Sequence, residues 1–411
     1  MNIKCDNIVK LKFINVNTDK KDNMNANKSI KHEMGQYFTT NTDLKNKVFE
    51  FIINDPSKIL EPSIGQGDLV QFISKMKPQI TFDMYEIDKD ILLLDNISRE
   101  NVTYGDFMNA NIKVKYETII GNPPYVRTRK GNLYIDFTEK CYNLLNENGE
   151  LIFIVPSDFL KLTSASTLLN KMMQHGTFTH IYHPHDEKMF ENASIDIIVF
   201  RYCKNDRIRK EVMYNNKKLY ITNSNGMITF NERMNESNKS FKDLFDIYVG
   251  IVSAKESVYK NIELGNITVL NGEDNSEKYI CIDEFPCKNN AVNQYLLKHK
   301  DDLLSRKIRK FNENNWYEWG ALRNINAVKA NHGKDCIYLY NLTRKKKVSF
   351  LGKVGYFGGS LIMLLPKKKC NLTNIAAYIN SEIFMHNFMF SGRFKIGHRQ
   401  ISNSLIPNEL L

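Results

Sequence analysis

The chain has 411 residues, of which 42% are hydrophobic and 25% are charged. This length suits two domains, and the composition is that of a globular protein with enough apolar residues for a core. No run of 18 apolar residues occurs in the sequence, so no transmembrane helix is predicted, and the polar start of the chain is unlike a signal peptide. The formal net charge of +11 favours a polyanionic partner such as nucleic acid, although basic charge also serves solubility.

The seven cysteines are odd in number, widely spaced and without a Cys-x-x-Cys pair. This pattern predicts reduced thiols in the cytoplasm, not a disulfide framework. His183 and His185 lie close together in the sequence, but no further ligand follows at the spacing of a zinc site. No metal is therefore predicted.

Residues 31–205 alternate short apolar strands with amphipathic stretches. In chain order, the pattern predicts a strand at 58–60, a helix at 69–77, a strand at 80–87, a helix at 91–99 and strands at 102–104 and 116–120. A helix at 133–146 and strands at 151–155 and 195–202 follow. Repeated strand–helix units predict an α/β fold with a doubly wound, mostly parallel sheet. Residues 1–30 are predicted to be a lead-in.

The pattern changes after residue 205. Residues 206–240 are polar and rich in asparagine, which predicts a connection that contains a hairpin. Residues 241–411 hold irregular apolar runs and dense basic clusters, and they are predicted to form a second, mixed α+β domain. A helix is predicted at 373–389.

The strongest chemical signal is Asn122-Pro123-Pro124-Tyr125, which directly follows the strand predicted at 116–120. Ligands bind at the carboxyl ends of strands in a doubly wound sheet. Two prolines stiffen the turn, so the Asn122 side-chain carbonyl and a backbone carbonyl can accept both hydrogens of one planar amino group. Tyr125 offers a flat face on which a base can stack. The alternative is a rigid turn that only ends a strand.

Polar residues also follow the three preceding strands. The segment 61–68 contains Gly65 and Gly67, which allow a ligand to approach the backbone closely. Glu86 ends the next strand, where an acid can accept both ribose hydroxyls of a nucleoside. Asp106 ends the third strand, where a carboxylate can accept from an adenine amino group. Each residue alone suits an ordinary turn, but the series predicts one nucleoside-binding pocket.

With these motifs in this order, the chain resembles the gamma-type DNA adenine-N6 methyltransferases related to the TaqI methyltransferase, of the type II restriction-modification kind. The resemblance rests on residues 35–40, 61–67, 122–125 and 153–160. It is close over 31–205 and looser over 241–411, where such enzymes carry a target-recognition domain. Thr40 stands where the family often has a proline.

The resemblance implies a Rossmann-like methyltransferase fold and a set of site residues. The residues expected to hold S-adenosylmethionine are Thr39, Glu61, Gly65, Glu86, Ile87, Asp106 and Phe107. The residues expected to be catalytic are Asn122, Pro123, Tyr125 and Phe190. Tyr125 and Phe190 would stack on the flipped base, although Phe190 could also be a core aromatic residue.

The resemblance also implies the reaction and its partners. The expected reaction transfers a methyl group to N6 of a flipped-out adenine in a short duplex DNA site, with TCGA as a guess by analogy. A monomer is expected, and a separate cognate endonuclease is a possible partner. A fused nuclease domain is not expected, because the two predicted domains account for the given sequence.

Three basic clusters lie in the second half of the chain, at 306–310, 344–347 and 367–369. The aromatic residues interleaved with them are Trp316, Tyr317, Trp319, Tyr356 and Phe357. In a target-recognition domain, the Lys and Arg side chains would bind phosphates, and a few of them would read base edges. For any single cluster, a solvated basic face is the alternative.

Three other functions are compatible with these motifs. A protein-glutamine methyltransferase or an RNA adenine methyltransferase would present a similar planar amino group to Asn122. A non-catalytic DNA-binding specificity protein could keep the fold alone. The motif at 35–40 and the basic second half argue against a protein-glutamine methyltransferase. The presence of Glu86, Asp106 and all four residues at 122–125 argues against a non-catalytic protein. No Pro-Cys occurs in a matching place, which argues against a cytosine-C5 enzyme.

Overall fold

The computed structural model describes residues 37–128, 131–191, 193–206, 209–234, 237 and 239–411. Residues up to 231 build one large sheet with helices on both faces, and residues from 240 onward form smaller sheets and short helices. This architecture confirms the predicted α/β fold with a second, mixed α+β region. The predicted lead-in at 1–30 lies outside the described residues.

The large sheet has ten strands, in the order β10-β9-β8-β6-β7-β5-β4-β1-β2-β3. Their bounds are β1 (Lys58–Glu61), β2 (Thr81–Glu86), β3 (Val102–Tyr104), β4 (Tyr116–Gly121), β5 (Leu145–Pro156), β6 (Gly176–Tyr182), β7 (Ile197–Lys204), β8 (Glu211–Tyr214), β9 (Lys217–Ser224) and β10 (Met227–Asn231). Strands β1 to β5 are parallel to one another, and β7 runs antiparallel to both β5 and β6.

Four helices accompany this sheet: α1 (Thr42–Glu50), α2 (Asp68–Met76), α3 (Leu133–Leu144) and α4 (Ser166–His175). Strand β5 shows why the helices cover both faces. Leu151, Phe153 and Val155 pack in the core that contains α3 and α4, whereas Ile152 and Ile154 pack in the core that contains α1 and α2. Because successive side chains of a strand point to opposite faces, a continuous apolar run suits a strand between two helical layers.

The predicted helix at 91–99 is wrong. This segment is irregular, and a single 3-10 turn (Arg99–Asn101) ends it. The Leu94 amide donates to the Gln66 carbonyl, and the Arg99 guanidinium donates to the carbonyls of Lys89 and Ile91. The apolar residues of the segment cover the loop after β1, so contacts with that loop replace the hydrogen bonds of a helix.

The predicted connection at 206–240 contains ordered structure. Strands β8, β9 and β10 extend the large sheet beyond β6, and two tight turns join them. Asn215 and Asn216, and then Asn225 and Gly226, adopt positive φ angles between 46° and 71°, which two-residue hairpin turns require. The sheet therefore continues past residue 205, and the domain boundaries themselves stay predictions.

The second region contains a four-stranded antiparallel sheet (β11-β17-β14-β16), a pair (β12-β13) and a three-stranded sheet (β15-β19-β18). The strands are β11 (Phe245–Val249), β12 (Ile267–Gly272), β13 (Asn275–Tyr279), β14 (Asp335–Tyr340), β15 (Leu342–Thr343), β16 (Ser349–Lys353), β17 (Leu361–Pro366), β18 (Met389–Phe390) and β19 (Arg393–Lys395). The helices are α5 (Phe241–Leu244), α6 (Glu256–Tyr259), α7 (Asn290–Lys298), α8 (Lys300–Leu304), α9 (Ile325–Ala330), α10 (Leu372–Ile379), α11 (Glu382–Met385) and α12 (His398–Asn403).

The predicted helix at 373–389 is also wrong, because two helices, α10 and α11, occupy that segment. The break falls at Asn380 and Ser381. The Asn380 side chain accepts from the amides of Val348 and Ser349, and the Ser381 hydroxyl caps α11 by accepting from Phe384. A tertiary contact at Asn380 and a local cap thus divide one apolar pattern into two helices.

In the parts of the chain that the structure describes, no helix combines the length and the apolar character needed to cross a bilayer.

Candidate cofactor pocket and catalytic motif

A cavity of about 440 Å³ lies at the carboxyl ends of β1 to β4. This is the place where doubly wound sheets bind their ligands, and the volume is within the range of small-molecule sites, roughly 300–1,000 Å³. The predicted site residues that line it are Gly65, Glu86, Ile87, Asp106, Phe107 and Asn122. The fold thus brings the ends of four separate strands together around one space.

Glu86 lies at the end of β2 with its carboxylate held by backbone amides. One oxygen accepts from Gly65 N at 2.9 Å, and the other accepts from Ile87 N and Asp88 N, each at 2.9 Å. Burial raises the pKa of this carboxyl, although the three amides act in the opposite direction. A carboxylate has about four acceptor positions, so Glu86 can still accept from a ligand hydroxyl.

The turn between β1 and α2 depends on glycine at two positions. Gly65 has φ +59° and Gly67 has φ +99°, conformations that other residues rarely adopt. A Cβ atom at Gly67 would lie 2.7 Å from the Ile97 side chain, and one at Gly65 would lie 3.4 Å from the Phe38 ring. The turn is therefore closely packed, and the backbone of Gly65 remains accessible from the cavity.

Asp106 and Phe107 complete the pocket after β3. The Asp106 carboxylate accepts from the Met108 amide at 2.9 Å and from the Asn109 side chain at 2.6 Å. The Phe107 ring is buried and stacks on Phe137 at a centroid distance of 5.4 Å. The pocket therefore has an apolar wall beside a carboxylate that has acceptor capacity left.

Two predicted cofactor residues, Thr39 and Glu61, do not line the cavity. The Thr39 hydroxyl is buried and accepts from the Asn122 side chain at 3.1 Å. The Glu61 side chain is 2% exposed and lies beneath the catalytic turn, where a Cβ atom on Gly121 would come within 2.9 Å of its carboxylate. Both residues therefore contact the catalytic motif from behind the cavity.

Burial raises the pKa of Glu61 to about 8, hydrogen bonding from Ser63 acts in the opposite direction, and the charge of Glu86 raises it further. The folded protein therefore binds this proton more tightly than the unfolded chain does. The resulting stability is fully present below the ordinary pKa of 4.5 and is lost as the pH rises through about 8.

Glu61→Gln is expected to match the wild type in stability near pH 4 and to exceed it near pH 9, by about 2–4 kcal/mol. The amide keeps the shape of the carboxyl without a charge to bury. Thermal unfolding of the ligand-free proteins across this pH range measures the difference. Glu100→Gln, at an exposed carboxyl, is the control. If the difference in stability between Glu61→Gln and the wild type does not change with pH, the raised pKa of Glu61 is contradicted.

Asn122 begins the predicted catalytic motif at 122–125. Its amide nitrogen donates to the Tyr37 carbonyl at 2.7 Å and to Thr39 Oγ1 at 3.1 Å. Its Oδ1 accepts from the Tyr125 hydroxyl at 2.6 Å, and that hydroxyl also lies 3.1 Å from the Ile154 carbonyl. These contacts fix which way the Asn122 amide points and leave Oδ1 with one further acceptor position.

Three aromatic rings cluster beside Asn122. Tyr125 and Phe190 lie 6.1 Å apart between centroids, and the Tyr37 ring lies 5.3 Å from the first and 5.7 Å from the second. Phe190 is only 4% exposed. The structure thus brings the two predicted base-stacking residues together, with Tyr37 packed against both.

Sequence reasoning missed the role of Tyr37. This residue belongs to the predicted motif at 35–40, of which Gly35 and Gln36 lie outside the described residues, but only Thr39 was assigned a function there. Its carbonyl orients Asn122 and its ring contacts both aromatic residues. The only signal in the sequence was an aromatic residue two positions before the motif threonine.

The cluster at 306–310 is only partly buried. Arg306 is 8% exposed and donates to the carbonyls of Leu303, Ser253, Glu318 and Trp316, so the prediction that it binds DNA is wrong. Residues 307–310 are exposed. The buried aromatic residues interleaved with the clusters are Trp316, Trp319 and Phe357, whose side chains build the core of the second region.

Among the described residues, no group of three or more His, Cys, Asp or Glu side chains is arranged to hold a metal ion. His183 and His185 stack on each other, with ring centroids 3.7 Å apart.

The first part of the chain is similar in sequence to known restriction-modification methylases. Residues 4–190 match the family model described as Eco57I restriction-modification methylase. The type II methyltransferase M.HincII of Haemophilus influenzae is 31% identical over 203 residues, which cover 44% of this chain and 39% of that protein. The modification methylase CviBIII of Paramecium bursaria Chlorella virus NC1A is 34% identical over 152 residues, which cover 32% of this chain and 40% of that protein. The chain thus spans about two fifths of the length of these curated relatives.

One solved structure resembles nearly the whole chain. The type IIL restriction-modification enzyme MmeI, solved in complex with DNA, matches with a TM-score of 0.55 at 10% identity. The match covers 94% of this chain and 68% of that chain. At this identity the likeness concerns the fold, which includes the second region as well as the large sheet.

Proposed function

We propose that this chain, whose residues 4–190 are homologous to restriction-modification methylases, is an adenine-specific DNA methyltransferase that uses S-adenosylmethionine. The observation that carries the proposal is the position of Asn122 in the wall of a nucleoside-sized cavity, with the Tyr125 hydroxyl hydrogen-bonded to its Oδ1. An amide oxygen and an aromatic face stand together there, as capture of a planar amino group on a base requires.

The cavity residues fit S-adenosylmethionine. In this cavity Glu86 would accept from the ribose hydroxyls, Asp106 would accept from the adenine amino group, and the ring of Phe107 would form the apolar wall. Ile87 would pack beside the nucleoside, and the backbone at Gly65 would allow close approach. Thr39 and Glu61 support the site indirectly through their contacts with the catalytic turn.

When bound, S-adenosylmethionine supplies an electrophilic methyl group, which the N6 nitrogen of the target adenine takes as the thioether leaves. Asn122 Oδ1 and the Pro123 carbonyl accept hydrogen bonds from the two N6–H groups. These bonds turn the nitrogen lone pair toward that methyl group. The Asn122 amide is already oriented by Tyr37 and Thr39, so this geometry is prepared before DNA binds.

The aromatic cluster receives the flipped base. Removing an adenine from the duplex stack costs a few kcal/mol, which stacking in the pocket offsets. Tyr125 provides one face and Phe190 contacts the base from the loop between β6 and β7. The Tyr37 ring lies within 6 Å of both, so it borders the same site.

Basic residues of the three-stranded sheet lie close to the loop that carries Phe190 and to the end of β5. Arg393 on β19 lies 4.0 Å from Glu187, in the loop that carries Phe190. Burial raises the pKa of Asp158, and nearby Lys395 acts in the opposite direction, which places Lys395 beside the end of β5. Strand β15 pairs with β19 and leads directly into the exposed cluster at 344–347. This basic surface suits the phosphates that flank the target base.

The double variant Arg344→Gln/Lys346→Gln is expected to weaken DNA binding about 3- to 30-fold near 0.1 M salt, and to reduce the slope of log Kd against log salt by about 1 to 2. Fluorescence anisotropy with a labelled duplex measures both quantities. The matched control is Lys368→Gln/Lys369→Gln, at exposed lysines that line a different cavity, together with Lys239 and Leu411. Equal losses in the two double variants would show that general charge, not this surface, binds DNA.

The first experiment is methyl transfer from labelled S-adenosylmethionine to unmethylated duplex DNA of mixed sequence, with the labelled nucleoside identified. N6-methyladenine in DNA is the expected product, and sequencing of the methylated positions then maps the site and tests TCGA. Label in RNA or on a protein glutamine, with none in DNA, would overturn the proposal in favour of a related N-methyltransferase. Binding of DNA without any transfer would indicate a non-catalytic specificity protein. Protection of the modified DNA from an endonuclease, and monomeric sedimentation, are further expectations.

A further inference from the structure

The loop at 183–196 joins β6 to β7 and carries Phe190. His183 is its first residue and Asp196 its last, and their side chains meet: His183 Nε2 lies 3.0 Å from both carboxylate oxygens of Asp196. Both side chains are buried, at 5% and 7% exposure. The pair closes the loop at its base, where the two ends of the loop leave the sheet.

Asp196 is also tied to the end of β5. Ser157 donates to the Asp196 carboxylate at 2.5 Å through its hydroxyl and to the Asp196 carbonyl at 2.9 Å through its amide. The Tyr125 hydroxyl contacts Ile154, three residues earlier in the same chain segment. The loop that carries Phe190 and the turn at 122–125 therefore both form hydrogen bonds with the end of β5.

His183 is held from the opposite side by the turn after β8. Its Nδ1 lies 2.7 Å from the Tyr214 hydroxyl, and its backbone amide and carbonyl each bond to the Asn215 side chain at 2.7 Å. A carboxylate only accepts hydrogen bonds, so the contact with Asp196 requires a proton on Nε2 of His183. A neutral His183 in this tautomer then accepts from the Tyr214 hydroxyl at Nδ1.

Several contacts hold the described part of the loop around Phe190. The Ile195 amide donates to the Glu187 carbonyl at 2.9 Å, Phe190 forms an isolated bridge with Ala193, and the Thr40 hydroxyl donates to the Glu191 carboxylate at 3.2 Å. The Phe190 ring packs in a hydrophobic core and contacts Tyr37 and Tyr125. The way the two ends of the loop are held therefore contributes to the position of the ring, together with this packing.

We propose that His183 and Asp196 are positioning residues, which hold the loop at 183–196 so that Phe190 faces the target base opposite Tyr125. This inference rests on the proposed function, since it assigns a role in base binding. It gives the His183–Asp196 pair a task in the reaction, although neither side chain touches the cavity that holds the cofactor.

The test is a double-variant cycle of His183→Ala and Phe190→Ala on the mapped DNA site. His183→Ala alone is expected to lower kcat/KM for DNA about 10- to 100-fold, since small misplacements of a binding group have effects of this size. The Kd for S-adenosylmethionine should change less than about 2-fold, which a general loss of structure would not allow. In the Phe190→Ala background, His183→Ala should have little further effect, because the group it positions is gone.

Two further variants serve as controls for the double-variant cycle. His183→Gln, whose amide can occupy the place of Nε2–H, is expected to recover most of the lost kcat/KM. His175→Ala, at an exposed histidine on α4, should behave like the wild type. If the effects of His183→Ala and Phe190→Ala multiply independently, His183 does not act through Phe190 and the inference fails.

Hydrogen exchange on the DNA-free protein provides a readout that does not need activity. His183→Ala is expected to accelerate exchange of the Ile195 amide and its neighbours by at least about 10-fold. Unchanged exchange there would overturn the inference even in an active enzyme. A wild-type protein without DNA methylation would instead refute the proposed function, and exchange would still decide whether the pair holds the loop.

Discussion

Asn122→Ala is expected to reduce methyl transfer to DNA at least about 10³-fold in kcat, because the variant removes the oxygen that accepts from the adenine amino group. Loss of one preorganised group of this kind typically costs 10²- to 10³-fold. Here the same side chain also accepts from the Tyr125 hydroxyl at 2.6 Å, so its removal disturbs the stacking face as well. Single-turnover transfer of labelled methyl groups measures the effect.

Two controls distinguish lost chemistry from lost structure. The Kd of Asn122→Ala for S-adenosylmethionine should stay within a few-fold of wild type, since other residues form most of the cavity wall. Thr39→Val removes only one acceptor of the Asn122 amide and should cost about 3- to 30-fold, close to the value of a single neutral hydrogen bond. An Asn122→Ala enzyme that kept a tenth of the wild-type rate would refute the proposed role.

Arg201→Met is expected to destabilise the large sheet by about 3–5 kcal/mol, because it leaves a buried carboxylate without its cation. Arg201 on β7 donates to Glu150 on β5 at 2.7 Å, and the Glu150 side chain is fully buried. Glu150 also accepts from Ile53 and Thr118, so it ties the start of β5 to its neighbours. An apparent Tm lower by about 10 °C is the expected result in a thermal unfolding experiment.

The matched control is the double variant Glu150→Gln/Arg201→Met, which removes both charges. It should recover a substantial part of the lost stability, since burying a charge without a partner accounts for much of the cost. Lys353→Met is a second control, because Lys353 pairs with Asp335 at an exposed site and exposed pairs contribute about 0–1 kcal/mol. If Arg201→Met and Lys353→Met lowered the stability equally, the special contribution of the buried Arg201–Glu150 pair would be contradicted.

The catalytic side of the molecule was largely predictable from the sequence. The apolar run at 151–155 predicted a strand, which is part of β5, and Asn122 to Tyr125 were predicted to follow a strand and do follow β4. These structural predictions succeed because they rest on local rules: strand periodicity, the stiffness of prolines and the glycine conformations that a tight turn needs. Parallel strands then bring the ends of β1 to β4 to one edge.

What only the tertiary structure decided concerns contacts between residues far apart in the chain. The segment at 91–99 has an apolar pattern that suits a helix, yet its backbone bonds to the loop after β1. Arg306 belongs to a basic cluster in the sequence, but its guanidinium is buried among backbone carbonyls. His183 and Asp196 look like ordinary loop residues until the fold joins them. Composition and periodicity determined the architecture and the catalytic motif, whereas burial and pairing depend on packing that no local pattern encodes.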